Sequence, residues 1–331
     1  MSRNKRKREQ KKQVKAGLVS LIKDLKEENK CLQNKVKVEI AIKEKYFEMW
    51  KASEKEKGKI KNARLVLQGG HNQMSSNKES EILNIDPSLI EDVEGVGEIG
   101  KGKFGTVFLK TFRSSPVAVK YFDATTTAKV VEREALYLSE CYHINLPLIF
   151  GRNVTKKPYF IVTQFYGNKS LQVTTLNKVS ISSLASEHWL HIVSQLSDGL
   201  CYLHKKNILH NDIKSDNIVV VNLPSGAFCP VLIDFGKACL ANEGKKKVLS
   251  RNEKAIYYKE HYHIAPEVIE GLCPQSIKSD VYSFGVVIAS LYKRSRYIPL
   301  KELAKHCLKP FSARCTSSEL LNLVLNLSIA N

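Results

Sequence analysis

The stretch from Ile208 to Gly236 constrains this chain most, because it places polar side chains between apolar runs. Asp212 and Asn217 stand five residues apart ahead of a β-branched run, and Asp234 directly follows a second apolar run. Runs rich in β-branched residues favour strands, so the stretch predicts a short hairpin with a carboxylate-bearing loop at each end. Two carboxylates and an amide brought together suit Mg²⁺, which takes oxygen ligands and keeps substrate phosphates as further ligands.

The charge of the chain is concentrated near its start. Lys and Arg number 52 against 33 Asp and Glu, and +12 of the net +19 falls within residues 1–68. A basic segment of this kind suggests an anionic partner. The eight cysteines are scattered without CxxC pairs, and no apolar run is long enough to span a bilayer, which predicts a soluble protein of the cytoplasm or nucleus with no membrane span.

Residues 1–67 are rich in Lys, Glu, Gln and Ala and contain no proline, which is typical of helix. Leu18, Leu25 and Leu32 recur every seven residues, with the polar Asn29 at the alternate position, as in a two-stranded coiled coil. The pattern predicts a homodimer through this basic helical region. A solvated single helix is the alternative, because the pattern lasts only about three heptads.

A polar stretch with Gly and Ser follows and predicts a linker over residues 68–91, after which apolar alternation sets in. Gly100, Gly102 and Gly105 then precede the strand-like run that begins at Thr106. A dinucleotide-binding fold would begin a helix within such a glycine motif, so the sequence favours a strand, a glycine turn and a second strand. Residues 184–205 have the apolar period of a long amphipathic helix.

Several of these motifs resemble those of eukaryotic protein kinases. Residues 212–217, DIKSDN, are similar to the catalytic loop of that family, and 234–236, DFG, to its metal-binding triplet. Residues 265–267, APE, resemble the triplet that closes the activation segment, and Asp280 the residue that ties down the catalytic-loop backbone. The resemblance covers residues 92–331 and implies a protein kinase domain there.

The fold implied by this resemblance is α+β and two-lobed. A small β-rich N-lobe with one key helix is expected over residues 92–163, a hinge over 164–167, and a larger, mainly α C-lobe over 168–331. A long N-terminal helix or coiled coil would precede them.

The resemblance also implies catalytic roles. Lys120, held by Glu134, would fix the α- and β-phosphates of ATP, Asp212 would accept the proton of the acceptor hydroxyl, and Lys214 would neutralise the γ-phosphate. A lysine two residues after the catalytic aspartate resembles serine/threonine kinases rather than tyrosine kinases. The expected substrates are therefore serine and threonine hydroxyls of proteins.

Mg²⁺ and the nucleotide have their own expected ligands. By the same resemblance Asn217 and Asp234 would hold Mg²⁺. Thr163 would be the gatekeeper at the start of the hinge. The residues expected to contact ATP, besides Lys120, are Gly100, Gly102, Gly105, Val107, Ala118, Thr163, Gln164, Tyr166 and Val219.

Two residues depart from the family pattern. Asn211 replaces the usual arginine beside the catalytic aspartate, and asparagine cannot form the bidentate pair by which that arginine grips a loop phosphate. Glu260 stands where serine/threonine kinases carry threonine, and an ion pair of Glu260 with Lys214 would hold that lysine away from phosphate. Arg314 stands where the family places the arginine that pairs with Glu267.

Three functions are compatible with the sequence. The first is an active serine/threonine-type kinase with a basic, dimerising or anion-binding extension, and the second is a nucleotide-binding pseudokinase scaffold. The third is a zipper-type DNA-binding protein that carries a kinase domain. Retention of Lys120, Glu134, Asp212, Asn217 and Asp234 favours catalysis, because a scaffold needs no proton acceptor.

Overall fold

The structure is a computed structural model that describes residues 82–330 apart from 103, 169, 181–183 and 224–226. The coiled coil and the basic segment predicted for residues 1–67 lie outside the described residues. Within the described part, an antiparallel sheet with one helix precedes a mainly helical region. The predicted β-rich N-lobe and helical C-lobe are therefore confirmed.

The N-lobe is built on one antiparallel sheet in the order β1-β3-β4-β6-β5, with β2 also paired to β3. The alternation expected of a strand is clear in β4, at the centre of the sheet. Val117 and Val119 are buried, and the alternate residues Ala118 and Lys120 face the other way. The strands are β1 (Ile90–Asp92), β2 (Glu98–Gly102), β3 (Gly105–Phe112), β4 (Ser115–Phe122), β5 (Ile149–Asn153) and β6 (Phe160–Gln164).

Helix α1 (Ala128–Ser139) is the helix of the N-lobe. Val131, Ala135 and Leu138 are buried, and their spacing of four and three residues places them on one face. Glu134 lies on the same face and is also buried. A carboxylate on the buried face of a helix needs a partner, because burial without one is costly.

The packed structure begins before the predicted domain boundary at residue 92. Ile85 is buried, and its backbone N–H donates to the carbonyl of Arg152 in β5 at 2.7 Å. The N–H of Arg152 in turn donates to the carbonyl of Leu83 at 2.8 Å. Part of the predicted linker 68–91 therefore belongs to the packed structure: residues 83–85 pair with β5, and residues 90 and 91 already form part of β1.

The C-lobe surrounds a core shared by its long helices. In the predicted long helix Trp189, Ile192, Leu196 and Leu200 are all buried, as the apolar period requires. Burying each such side chain contributes about 1.5–3 kcal/mol before entropy is counted. The helices are α2 (Ser186–Lys205), α3 (Arg251–Glu260), α4 (Pro266–Ile269), α5 (Ile277–Ser295), α6 (Ile298–Cys307) and α7 (Ser317–Ala330).

Two small two-stranded antiparallel sheets lie beneath the cleft between the lobes. Strand β7 (Ile208–Leu209) pairs with β10 (Cys239–Leu240), and β8 (Ile218–Asn222) pairs with β9 (Phe228–Leu232). The second is the hairpin predicted from the β-branched runs. Its end places the loop before β8 beside the loop after β9.

The segment after Asp234 contains an exposed helix, α3. The first turn of α3 is held by a capping box, in which Ser250 Oγ accepts from the N–H of Glu253 at 3.3 Å and Glu253 accepts from the N–H of Ser250 at 2.8 Å. No residue of this helix is buried. None of the helices among the described residues is long and apolar enough to cross a bilayer.

Candidate active site

Lys120 connects the two lobes. It projects from β4, and its Nζ donates to Oε1 of Glu134 in α1 at 2.7 Å and to Oδ1 of Asp234 at 2.9 Å. The strand alternation that turns Lys120 away from the buried Val119 and the helical spacing that turns Glu134 inward bring the two together. The contact between Lys120 and Glu134 expected from the sequence is confirmed.

The charges in this cluster are not balanced. Burial lowers the pKa of Lys120, but the two carboxylates outweigh it and the net shift is upward. Burial raises the pKa of Glu134 against the opposing charge of Lys120. For Asp234, burial acts upward, but Lys120 and the N–H of Gly236 hold its pKa below the ordinary value. One ammonium group therefore faces two carboxylates, and a further cation beside Asp234 would be stabilised.

The loop before β8 is fixed from the C-lobe. The backbone N–H groups of His210 and Asn211 donate to the two carboxylate oxygens of Asp280 at 2.7 and 2.9 Å. Asp280 is 1% exposed, and the ring of His204 lies 3.2 Å from its Oδ2. The expected role of Asp280 in tying down this backbone is confirmed, and the loop presents Asp212 from a rigid base.

Asp212 is surrounded by donors. Lys237 Nζ donates to its Oδ1 at 2.7 Å, and Nε2 of His263 lies 3.4 Å from the same oxygen. On the other side, Lys214 Nζ is 3.4 Å from Oδ2. Burial by itself raises the pKa of Asp212, but the hydrogen bonds from His263 and Lys237 and the charges of Lys237 and Lys214 hold it far below the ordinary value. Asp212 is therefore ionised at neutral pH.

Asn217 and Asp234 meet at the end of the β8–β9 hairpin. The N–H of Ile233 donates to the carbonyl of Asn217 at 2.8 Å, which places the residue after Ile233 next to Asn217. Asn217 Nδ2 donates to the backbone carbonyl and to Oδ2 of Asp212 at 2.9 and 3.1 Å. Because the amide nitrogen is committed to Asp212, the amide oxygen is the atom that a cation would bind.

This donor set fits Mg²⁺. It offers the carboxylate of Asp234, whose side chain is one-third exposed, and the amide oxygen of Asn217. Hard oxygen ligands from one or two side chains, completed by substrate phosphates and water, are what Mg²⁺ takes in nucleotide sites. Among the described residues no group of three or more His, Cys, Asp or Glu is arranged to hold a metal ion. The fit therefore depends on a carboxylate and an amide together with the phosphates of a nucleotide.

The residues expected to contact ATP in the N-lobe lie on neighbouring strands. Val107 in β3 is paired with Gly100 in β2 on one side and with Lys120 in β4 on the other. Ala118 in β4 is paired with Thr163 in β6. The sheet register thus brings the glycine turn, the lysine strand and the gatekeeper position to adjacent places.

The glycine turn itself is tight. Gly102 is paired with Gly105 across it, and Gly105 has φ of +154°. A Cβ at Gly105 would lie 2.1 Å from the carbonyl oxygen of Tyr121, so a residue with a side chain is excluded. The ring of Phe104 at the tip reaches down to Gly236, where an added Cβ would lie 3.2 Å from it. The turn therefore covers the cleft.

The hinge residues begin at the end of β6, and Val219 lies in β8 of the C-lobe. Gln164 ends β6, and its N–H donates to the carbonyl of Leu148 at 2.8 Å. The hydroxyl of Tyr166 accepts from the N–H of Leu148 at 3.1 Å. Val219 is buried in β8 of the C-lobe, two residues after Asn217.

The ion pair expected between Lys214 and Glu260 is wrong. Lys214 is within ion-pair distance of Asp212 instead, whereas Glu260 is the last, exposed residue of α3. The signal for this helix is the capping box of Ser250 and Glu253, and the helix leaves Glu260 at its exposed end. In contrast, the expected pair of Glu267 and Arg314 is confirmed: two guanidinium nitrogens lie 2.5 and 3.0 Å from the two carboxylate oxygens, and both residues are buried.

Sequence reasoning missed two residues that contact Asp212. Lys237 directly follows Gly236, and His263 lies two residues before Ala265, so both flank motifs that the sequence did single out. The only sequence signal for these two residues is that each lies beside a family motif, DFG or APE. Their contact with Asp212 spans 25 and 51 residues of sequence, and it depends on how the intervening segment folds.

Comparison with known proteins gives consistent similarities. A family model described as protein kinase domain matches residues 93–321. The chain is 31% identical over 208 residues to the probable serine/threonine-protein kinase gdt4 of Dictyostelium discoideum, an alignment that covers 62% of this chain and 12% of that protein.

Two plant proteins are similar to a comparable degree. A G-type lectin S-receptor-like serine/threonine-protein kinase of Arabidopsis thaliana is 27% identical over 229 residues, which is 66% of this chain and 27% of that protein. Cysteine-rich receptor-like protein kinase 7 of the same organism is 28% identical over 221 residues, 64% of this chain and 32% of that protein. The chain thus spans a third or less of the length of these relatives.

Proposed function

The chain belongs to the protein kinase family, and we propose that it transfers the γ-phosphoryl group of ATP to serine or threonine hydroxyls of protein substrates. The observation that carries this proposal is the convergence of Lys120, Asp234, Asn217 and an ionised Asp212 on one cleft. Phosphoryl transfer passes through a loose transition state, so it requires positioning and neutralisation of charge rather than covalent chemistry from the protein. These side chains supply both.

Lys120 is proposed to bind the α- and β-phosphates. Its ammonium already bridges Glu134 and Asp234, and the raised pKa keeps it protonated. Glu134 fixes the position of the ammonium from the helix side. A phosphate would add negative charge to a cluster that is already short of positive charge, so binding requires a cation together with the nucleotide.

Asp234 and Asn217 are proposed to hold that cation. Mg²⁺ bound there would neutralise the charge of the phosphate oxygens during transfer. Asn217 also bonds to Asp212 through its nitrogen, so its side chain links the metal position to the catalytic loop. The glycine turn and the hinge between the lobes are proposed to hold the triphosphate and the adenine.

Asp212 is proposed to orient the acceptor hydroxyl and to take its proton as the new bond to phosphorus forms. Its low pKa suits this role, because in a loose transition state the hydroxyl gives up its proton late. Lys214, which lies beside Oδ2, is placed to move to the γ-phosphate. The lysine at this position favours serine and threonine over tyrosine as acceptors.

A nucleotide-binding pseudokinase is the second candidate, and a specific observation favours it. Both oxygens of Asp212 are already engaged, Oδ1 by Lys237 and Oδ2 by Asn217 and Lys214. An acceptor hydroxyl must share an oxygen with one of these donors. If it fails to do so, the cleft would bind nucleotide without transferring phosphate.

One experiment separates the two candidates. The full chain is incubated with Mg²⁺ and labelled ATP and with a generic basic protein as acceptor, beside an Asp212→Asn variant. We expect transfer that falls at least about 100-fold in the variant, since general-base positions contribute on that scale. Nucleotide-induced thermal stabilisation without transfer in the wild type would favour the scaffold instead.

For the basic extension we propose a dimerising or anion-binding role in a protein of the cytoplasm or nucleus. The leucine register at 18, 25 and 32 supports the first, and the excess of basic residues in 1–68 supports the second. Sedimentation of the full chain, alone and with an added polyanion, at about 0.1 and about 0.5 M salt tests both, because a coiled coil survives salt whereas a charge-driven complex dissociates.

A further inference from the structure

Lys237 has a defined place in the cleft that the family motifs do not assign. It is the first residue after the Asp234-Phe235-Gly236 triplet, and its Nζ lies 2.7 Å from Oδ1 of Asp212. This is the shortest of the three contacts that positively charged or imidazole side chains make with Asp212 among the described residues. The contact is charge-assisted and has the length of a strong hydrogen bond.

The backbone of Lys237 is held by Asn211. Asn211 Nδ2 donates to the carbonyl of Lys237 at 3.1 Å and lies 3.2 Å from Sγ of Cys239. Cys239 is in turn paired with Leu209 in the two-stranded β7–β10 sheet. The start of the segment after Asp234 is thus fastened to the residues that lead into the catalytic loop.

Asn211 has a conformation suited to this contact. Its φ is +63°, a left-handed conformation that asparagine tolerates better than most residues. Its Oδ1 is buried without a hydrogen-bond partner among the described residues, so the nitrogen alone determines the orientation of the amide. The residue that departs from the family arginine therefore contacts the backbone of Lys237 directly.

The pair of Lys237 and Asp212 contributes more to orientation than to stability. The side chain of Lys237 is 37% exposed, and an ion pair with one partly exposed partner adds little to stability because solvent screens it. The effect of the pair on the orientation of the Asp212 carboxylate is larger. Lys237 fixes Oδ1 while Asn217 fixes Oδ2, which defines the plane of the carboxylate. A displacement of about 1 Å in such a group costs up to about 100-fold in rate.

We propose that Lys237 is a positioning residue that orients the Asp212 carboxylate toward the acceptor hydroxyl, and that Asn211 holds Lys237 in place for this purpose. The proposal rests on the proposed kinase function. The opposite role, in which Lys237 blocks Asp212, predicts a change of activity in the other direction. The two roles are therefore separated by the sign of one measurement.

The experiment compares three variants of the full chain. Lys237→Met removes the charge and keeps the length of the side chain, Lys237→Arg keeps the charge, and Lys245→Met changes an exposed lysine of the same segment. For each, kcat, KM for Mg-ATP, KM for the acceptor and Tm are measured. We expect Lys237→Met to lower kcat about 10- to 100-fold with KM for Mg-ATP within about twofold of wild type.

The other variants make the readout specific. Lys237→Arg should recover kcat to within about threefold of wild type, and Lys245→Met should leave it unchanged. A purely structural role would instead lower Tm in Lys237→Met without a selective loss of kcat. An unchanged or raised kcat in Lys237→Met, or an equal loss in Lys245→Met, would overturn the proposal.

A second measurement does not require transfer. The Lys237 Nζ lies in a 2.7 Å contact with Oδ1 of Asp212, which leaves it less accessible to an amine-acylating reagent, so acetylation of Lys237 relative to Lys245, followed by mass spectrometry, should speed up in Asp212→Asn. Unchanged relative labelling would overturn the contact itself, even with transfer intact. Faster labelling with no transfer by the wild type would overturn the proposed function and with it the positioning role.

Discussion

Replacing Lys120 by methionine removes the ammonium that Glu134 and Asp234 share at 2.7 and 2.9 Å. We expect the variant to lose phosphoryl transfer, because the phosphates lose their ligand. Methionine fills nearly the same volume, so the sequence alone predicts an intact fold. The structure adds a cost in stability, because two carboxylates then remain in the cleft without that cation.

The size of this cost follows from burial. Breaking a buried ion pair by removing one partner costs about 3–5 kcal/mol. Here Glu134 is 4% exposed, but Asp234 is 32% exposed in its side chain and Glu134 is able to take up a proton. We therefore expect a loss of about 2–4 kcal/mol at neutral pH. For a domain of this size that lowers Tm by about 5–15 °C.

The loss should depend on pH with a definite sign. Without Lys120, the pKa of Glu134 in the folded chain rises further above its unfolded value of about 4.3. A carboxyl with a raised folded pKa binds its proton more tightly in the folded state, so the deficit is small below about pH 4.3 and grows as pH increases. The double variant Lys120→Met with Glu134→Gln should recover at least half of the loss and show no such pH dependence.

Differential scanning calorimetry or fluorimetry of the wild type, the single variant and the double variant between about pH 5.5 and about pH 8.5 measures this effect. The double variant is a matched control, because it returns the cluster to the net charge of the wild type, −1, without restoring the phosphate ligand. It should therefore be stable and inactive. A single variant with the Tm of the wild type, or with a deficit that is the same at every pH, would refute the assigned charge cluster.

Three further outcomes are expected. Asp234→Asn should abolish the Mg²⁺-dependent part of the thermal shift caused by ATP, because a carboxylate ligand becomes neutral; a shift indifferent to Mg²⁺ in the wild type would contradict the metal site. Phosphatase treatment should change activity only slightly, since Asn211 cannot grip a loop phosphate; a loss of more than about tenfold, or 1.4 kcal/mol of barrier, would contradict this. Leu25→Lys should abolish association of the chain in sedimentation without changing transfer, and a wild type that is monomeric at tens of micromolar would rule out the predicted dimer.

The parts of the site that the sequence predicted are those set by local periodicity. The hairpin that joins Asn217 to Asp234 follows from two β-branched runs, and the inward direction of Glu134 follows from helical spacing. Both are decided within one short segment of the chain. The placement of the β8–β9 hairpin relative to the helix that carries Glu134 follows from the resemblance to the family.

Contacts made by long side chains across the chain were not predictable in this way. Lys237 reaches Asp212 only because the pairing of β7 with β10 brings its backbone next to the catalytic loop. No periodicity in the sequence specifies that two-residue pairing. Helix α3 is different, since the Ser250 and Glu253 capping box was readable in the sequence and predicts a helix start. A helix that starts at this capping box places Glu260 at its exposed end and not in a pair with Lys214.

The surroundings of Asp212 explain why a loop phosphate should matter little here. The segment from Asp234 to Glu267 contacts Asp212 Oδ1 at both of its ends, through Lys237 at 2.7 Å and through His263 at 3.4 Å. Where an arginine precedes the catalytic aspartate, a phosphate on the loop supplies the charge that draws the segment to the catalytic loop.

In this chain Asn211 bonds to the backbone carbonyl of Lys237, a contact that needs no added charge. The C-terminal end is anchored independently by the buried pair of Glu267 and Arg314. A phosphate on the exposed part of the segment would therefore act on residues whose two ends are already fixed. Because a ligand or modification shifts an equilibrium only by its differential interaction with the two states, a segment held by its own side chains leaves such a phosphate little to change.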